Sequence, residues 1–291
     1  MVFSRRVSAL TRTRFYTRRL AYPWYIYAPK HSCMRPLYIL LLLSLLRLPA
    51  EAQENYEIQV YASPTMAKGT TMFELHSNYT FNGNTQTDKG VIPSNHALHE
   101  TVEITTGITS WFEAGVYLFM NYTSGHGYQL VGTHLRPRVM VPASWHVPFG
   151  LSLSAEVGYQ KNEYAADEWS LELRPIIDKQ WGKFYAALNP TFGIALKSQY
   201  NNSVPGFEPN VKLSYTVLKN MALGIEYYGD MGPVSHFDKV SEEGHALFFT
   251  YDLLNNNKWE LNIGAGVGLT PATDAFVFKL ITGRKVNWRR N

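Results

Sequence analysis

The most regular feature of the chain is a two-residue alternation of apolar and polar positions. Leu151, Leu153, Ala155, Val157 and Tyr159 share one parity, while Ser152, Ser154, Glu156, Gly158 and Gln160 share the other. Successive side chains of a β-strand point to opposite faces, so the pattern predicts a strand with one apolar face. The same parity holds for Trp259, Leu261, Ile263, Ala265, Val267 and Leu269 against Glu260, Asn262, Gly264, Gly266 and Gly268. It holds again for Phe207, Pro209, Val211, Leu213, Tyr215 and Val217 against Glu208, Asn210, Lys212, Ser214 and Thr216, and along 112–121. A helix, with its period of about 3.6, would not keep it.

Marking strands by parity and turns by Gly, Pro, Asn and Asp predicts about twelve strands. They lie near 70–81, 97–108, 112–122, 128–141, 150–160, 167–178, 183–196, 206–217, 220–228, 244–253, 258–269 and 274–285. Many reach ten residues or more. Strands of soluble proteins cluster near ~5–6 residues, whereas a tilted membrane-crossing strand needs ~9–11. Longer polar connections at 82–96, 123–127, 161–166, 197–205 and 229–243 alternate with tight turns at 109–111, 219–220 and 255–257. That rhythm is the one expected of an outer-membrane barrel; the connection at 142–149 is long for it. The expected fold is all-β: a closed antiparallel up-and-down transmembrane β-barrel of about 12 strands over 70–291, with both termini on the short-turn, periplasmic side. Trp111, Tyr122, Tyr159, Trp169, Trp181, Tyr227 and Trp259 fall near strand ends, where an interfacial girdle would place them.

Composition agrees. Aromatic residues make up 14% of the chain and charged residues only 17%, an aromatic-rich and charge-poor balance for a soluble domain. The net charge of +4 is unevenly placed: from Gln53 onward acidic side chains outnumber basic ones. A nucleic-acid partner is therefore not expected. The apolar run at 37–48 is too short to cross a bilayer and fits the core of a signal peptide. Arg35 flanks it, and Ala50 and Ala52 supply the small residues of a cleavage site, giving a signal peptide at 34–52 and a mature start at Gln53. Residues 1–33, rich in Arg, read as a basic extension or a mis-assigned start, with a mitochondrial presequence as the rival reading. The single cysteine, Cys33, precedes that site, so the mature chain would carry no disulfide. Residues 53–69 form an N-terminal segment, of which 57–63 is too short for a full span and could tuck into the lumen as a partial plug.

The hairpin Thr106-Gly107-Ile108-Thr109-Ser110-Trp111-Phe112-Glu113-Ala114-Gly115, together with Arg136-Pro137-Arg138 and the run of alternating strands, resembles the outer-membrane barrel family associated with the phenol meta-cleavage pathway. That resemblance implies a passive uptake role for a hydrophobic or aromatic solute, and it supplies no family site. Trp288 is followed by Arg289, Arg290 and Asn291, a departure from the terminal aromatic residue of many outer-membrane barrels.

Parity places Glu74, His99, Glu103, Glu113, His134, Arg136, Arg138, Glu156, Glu172, Arg174, Lys212, Glu226, Glu260 and Lys279 on the lumen side. Of these, Glu103, Glu113, Arg136, Arg138, Glu156, Glu172, Arg174, Lys212 and Glu226 are the candidate lumen-lining set. A cross-strand ladder is expected, with Arg136 and Arg138 facing Glu156 and the Glu172 and Arg174 strand beyond. It would brace a narrow, largely filled barrel or form a selective polar constriction. His96, His99 and Glu100 are not expected to bind a metal, because His99 and Glu100 point to opposite faces. Ser124 with His126 is the nearest approach to a nucleophile pair, and no Gly-x-Ser-x-Gly motif supports an acyl hydrolase. No catalytic residue, cofactor or metal is expected. The partners expected are outer-membrane lipid, a small-molecule solute and the barrel-assembly machinery. A passive channel is the leading function, and a structural or adhesive barrel working through the loops at 82–96 and 229–243 is the alternative.

Overall fold

The computed structural model describes residues 55–198 and 204–288. The expected signal peptide, the extension before it, the start at Gln53 and the residues after Trp288 lie outside them.

Twelve strands follow one another: β1 Thr70–Asn82, β2 Leu98–Gly107, β3 Phe112–Thr123, β4 Gly127–Met140, β5 Gly150–Gln160, β6 Asp167–Trp181, β7 Phe184–Ser198, β8 Gly206–Leu218, β9 Met221–Asp230, β10 Gly244–Leu253, β11 Trp259–Gly268 and β12 Phe276–Asn287. Each pairs antiparallel with its sequence neighbours, and β1 pairs with β12 to close the barrel. Closure leaves no unpaired edge, which is the condition for a sheet to stand in lipid. The long connection between β4 and β5 carries a single 3-10 turn, Ala143–Trp145.

Burial follows parity. Along β3, Glu113, Tyr117, Phe119 and Asn121 are buried while Val116 and Leu118 are exposed. Leu75, Leu135, Leu153, Leu188, Leu213, Leu223 and Ile225 continue the apolar exterior on other strands. Glu, Arg, Lys, Asn and His fill the interior instead. This inversion of the soluble pattern matches a barrel whose solvent is hydrocarbon. Aromatic pairs mark both rims: Tyr122 with Tyr128 and Tyr159 with Trp169 at the end with the long loops, Phe184 with Tyr215 at the end with the short turns.

The two ends of the described chain part company, which corrects the expectation that both termini share the short-turn side. Trp288 donates its N–H to Gly69 O at 3.0 Å, so β12 ends beside the start of β1 at the short-turn end. Asn55, in contrast, lies at the loop-rich end, where its amide reaches Asp274 Oδ2 in the β11–β12 loop at 3.3 Å. The reason is that residues 55–67 run through the lumen. Gly69, at φ 76°, then turns the chain back into β1, a left-handed conformation that glycine adopts without strain.

Candidate functional site

The lumen and the segment inside it form one site. Contacts along the segment step down the barrel in order. Asn78 and Thr101, toward the loop-rich end of β1 and β2, donate to the carbonyls of Asn55 and Tyr56 at 2.9 Å each. Lys279 Nζ donates to Ile58 O at 2.9 Å. Midway, the Asn189 side chain receives the Tyr61 N–H at 2.7 Å and returns its own N–H to Tyr61 O at 3.0 Å. Below that, Ser63 Oγ donates to Asp178 Oδ1 at 2.6 Å, and Arg138 donates to the carbonyls of Ala62 and Pro64 at 3.0 Å each. Last, the Met66 N–H meets Glu113 Oε2. An extended chain leaves its peptide groups unpaired, and polar wall side chains here satisfy them one after another.

Apolar contacts fix the same segment. Ile58 and Val60 are buried with Ala187, Tyr228, Phe248 and Val277, while Tyr56 packs with Tyr117, Phe119, Val131 and Tyr164. The ring of Tyr61 is approached by three guanidiniums, Arg174 at 4.7 Å, Arg136 at 5.3 Å and Arg138 at 5.8 Å from its centroid. Its hydroxyl lies 3.2 Å from that of Tyr117.

Eight of the nine candidate lumen residues are buried, and Glu172 is partly so. They fall into three groups rather than one ladder. Arg136 reaches Glu103 at 2.6 Å and Glu113 at 3.1 Å, and Arg138 reaches Glu113 at 2.7 Å. Lys212 bridges Glu226 at 2.9 Å and Asp252 at 2.7 Å, with Lys279 on the other oxygen of Glu226. On the third side, Glu156 takes His134 at 2.7 Å and Glu172 takes Arg174 of its own strand at 2.8 Å. The expected pairing of Arg136 and Arg138 with Glu156 is therefore corrected. The physical reason is Gly115, which lies opposite Arg136 in the β3–β4 register. A Cβ there would collide with Thr105 Oγ1, the hydroxyl to which the Arg136 guanidinium donates, and lie in contact with the guanidinium itself. Without one, Arg136 crosses β3 to Glu103 on β2, and His134 is left to take Glu156.

Other singled-out residues separate. His99 is buried edge-on against Tyr56 with ring centroids 4.9 Å apart, His96 is exposed, and Glu100 accepts from Ser77 Oγ at 3.2 Å. Ser124 and His126 sit at an exposed loop tip, where His126 Nδ1 lies 3.3 Å from Thr123 Oγ1. Glu260 pairs loosely with Lys285 at 3.6 Å. Sequence reading missed Asn189 and Asp178, whose only signal was a polar residue of inward parity. It also missed His76, which has the parity of Glu74 on the same strand.

Above the segment, toward the loops, a cavity of about 640 Å³ opens. Among the described residues ten carboxylate side chains line it, including Glu57, Asp88, Glu208, Asp230, Asp238 and Asp274, against Lys89 and Arg174 as the only Lys or Arg. At its rim, the bond from Lys239 holds the Glu242 carboxyl below its ordinary range. Tyr56, Tyr164, Tyr228 and Phe248 add aromatic surface to the same lining. Glu57 belongs to the lumen segment itself, is buried, and has one carboxylate oxygen, Oε1, that makes no hydrogen bond.

The architecture defines a class, the closed twelve-stranded up-and-down barrel with a polar interior and an apolar exterior. Within it, the chain is similar in fold to a crystal structure of an outer-membrane channel from Pseudomonas putida F1, at 12% identity and TM-score 0.50, over 79% of this chain and 100% of that one. It is also similar to the KdgM porin, at 10% identity and TM-score 0.47 over 75% and 99% of the two chains. A further likeness is to the outer-membrane protein Omp33 from Acinetobacter baumannii, at 10% identity and TM-score 0.42 over 75% and 99%. No family model matches the chain, and no curated protein matches it either.

Proposed function

We propose that this protein is an outer-membrane uptake channel for a small organic cation, with residues 55–67 as its internal plug. The long loops then face outward and the short turns face the periplasm. The observation that carries the reading is the vestibule: a wide, acidic, partly aromatic cavity that opens on the loop side and ends on the plug. Ten carboxylates against one lysine and one arginine concentrate cations there. Aromatic faces beside them suit a cation with an apolar or aromatic body. The solute class implied by the family resemblance, hydrophobic or aromatic, is thus retained in the body of the ligand and given a charge. Glu57 joins the two halves of the reading, because it is at once the vestibule floor and part of the plug.

Planar-bilayer conductance tests it. The intact protein is expected to conduct little, and a variant lacking residues 55–67 to give discrete, cation-selective steps, with heat-modifiable gel migration confirming a closed barrel in both. A folded, plug-free barrel that stays silent, or that selects anions, overturns the reading.

A further inference from the structure

The geometry points to a divalent-cation site in the barrel wall, formed by Glu74 and His76 of β1 and Glu103 of β2. Donor atoms of all three lie within 4.8 Å of one another. His76 is fully buried and Glu103 nearly so. Neither ring nitrogen of His76 makes a hydrogen bond. Its nearest carboxylate oxygen, Glu103 Oε2, is 3.6 Å from Nε2, and that oxygen is likewise without a hydrogen bond. A gap of 3.6 Å is too long for a hydrogen bond. It does suit two ligands that share one metal at about 2.0–2.2 Å from each.

Charge balance points the same way. Glu74 and Glu103 are directly opposed in the β1–β2 register, and like charges in that position repel. Arg136 occupies the other oxygen of Glu103 but is shared with Glu113, to which Arg138 is also committed. Lys285 is turned to Glu260. Three carboxylates thus face two guanidiniums, with one imidazole between the opposed pair. The surplus is one negative charge, which a proton held between the carboxylates would neutralise and which a divalent cation ligated by one imidazole and two carboxylates would more than offset. The donor set suits a first-row divalent ion such as Zn²⁺ or Mn²⁺. Space for Glu74 comes from Gly283 of β12, its other register partner, where a Cβ would press on Glu74 Cγ at 2.7 Å. Such an ion would fasten β1 to β2 one strand from the β1–β12 seam.

Zn²⁺ binding to the detergent-purified protein, measured by titration calorimetry, tests the assignment. One Zn²⁺ per barrel is expected, with affinity about tenfold or more weaker in His76→Gln and in Glu74→Gln and unchanged in His126→Ala, at the exposed loop tip. Should either variant fail the heat-modifiable gel test for folding, the absorption spectrum of the Co²⁺-loaded intact protein decides. Bands of a single imidazole with carboxylate oxygens support the site. No saturable Zn²⁺ binding, affinity indifferent to both substitutions, or a Co²⁺ spectrum with several imidazoles overturns it and leaves a shared proton as the balancing charge.

Discussion

Arg138 shows how single residues hold this lumen. It is buried and has three tasks: one guanidinium contact with Glu113 and two bonds to the plug carbonyls of Ala62 and Pro64. Removing one partner of a buried ion pair leaves the other uncompensated, at about 3–5 kcal/mol. Glu113 keeps Arg136 and the Met66 N–H, so Arg138→Ala is expected to lower the denaturation midpoint at a cost below that figure and to raise the frequency of conducting events in a bilayer, because the plug loses two anchors. An unchanged midpoint would mean that Glu113 and the plug are held elsewhere. Legibility at this scale was uneven. Parity alone put Arg136, Arg138, Glu103 and Glu113 on one face, since a strand admits only two. The partners of each charge were not legible, because pairing depends on register and on which neighbour lacks a side chain, as Gly115 does opposite Arg136.

At the scale of elements, the strands were the readable part. Their alternation is imposed by two different surroundings, hydrocarbon outside and ions inside, and survives in the sequence as period two. Boundaries shift by a few residues, as in β6, which runs to Trp181 rather than 178. The plug was only half legible. Residues 57–63 alternate like a strand but are too short to cross a membrane, which pointed inward without showing that the segment continues from 55 to 67. Its stabilisation is a property of the element, since wall side chains replace the missing neighbouring strand. Asn189 does this most completely, closing a two-bond ring with the Tyr61 peptide. In Asn189→Leu both groups lose their partners, at about 1–3 kcal/mol for each. Hydrogen exchange at the Tyr61 amide is expected to speed up by orders of magnitude while the amides of β2 and β3 stay protected. Equal acceleration everywhere would show that Asn189 supports the barrel and not the plug in particular.

For the molecule as a whole, the notable feature is the path of the chain. It enters the described structure at the loop-rich mouth, descends through the lumen, turns at Gly69 and becomes the wall that surrounds it. Because β1 closes on β12, the segment is a cord passed through a ring of its own chain, with its lower end tied at Gly69. Topology then dictates the direction of release: the tie at Gly69 forbids escape through the upper mouth, so the cord can be drawn out only downward, and the chain ahead of Asn55 must follow it through the bore. A folded body fused ahead of Asn55 would act as a knot. Such a fusion is expected to keep the barrel non-conducting even in Arg138→Ala, and cutting the fusion at an engineered protease site should restore the openings. During biogenesis the same geometry allows two orders of events: the final seam closes around a cord already in place, or the chain ahead of Gly69 threads upward through the finished bore.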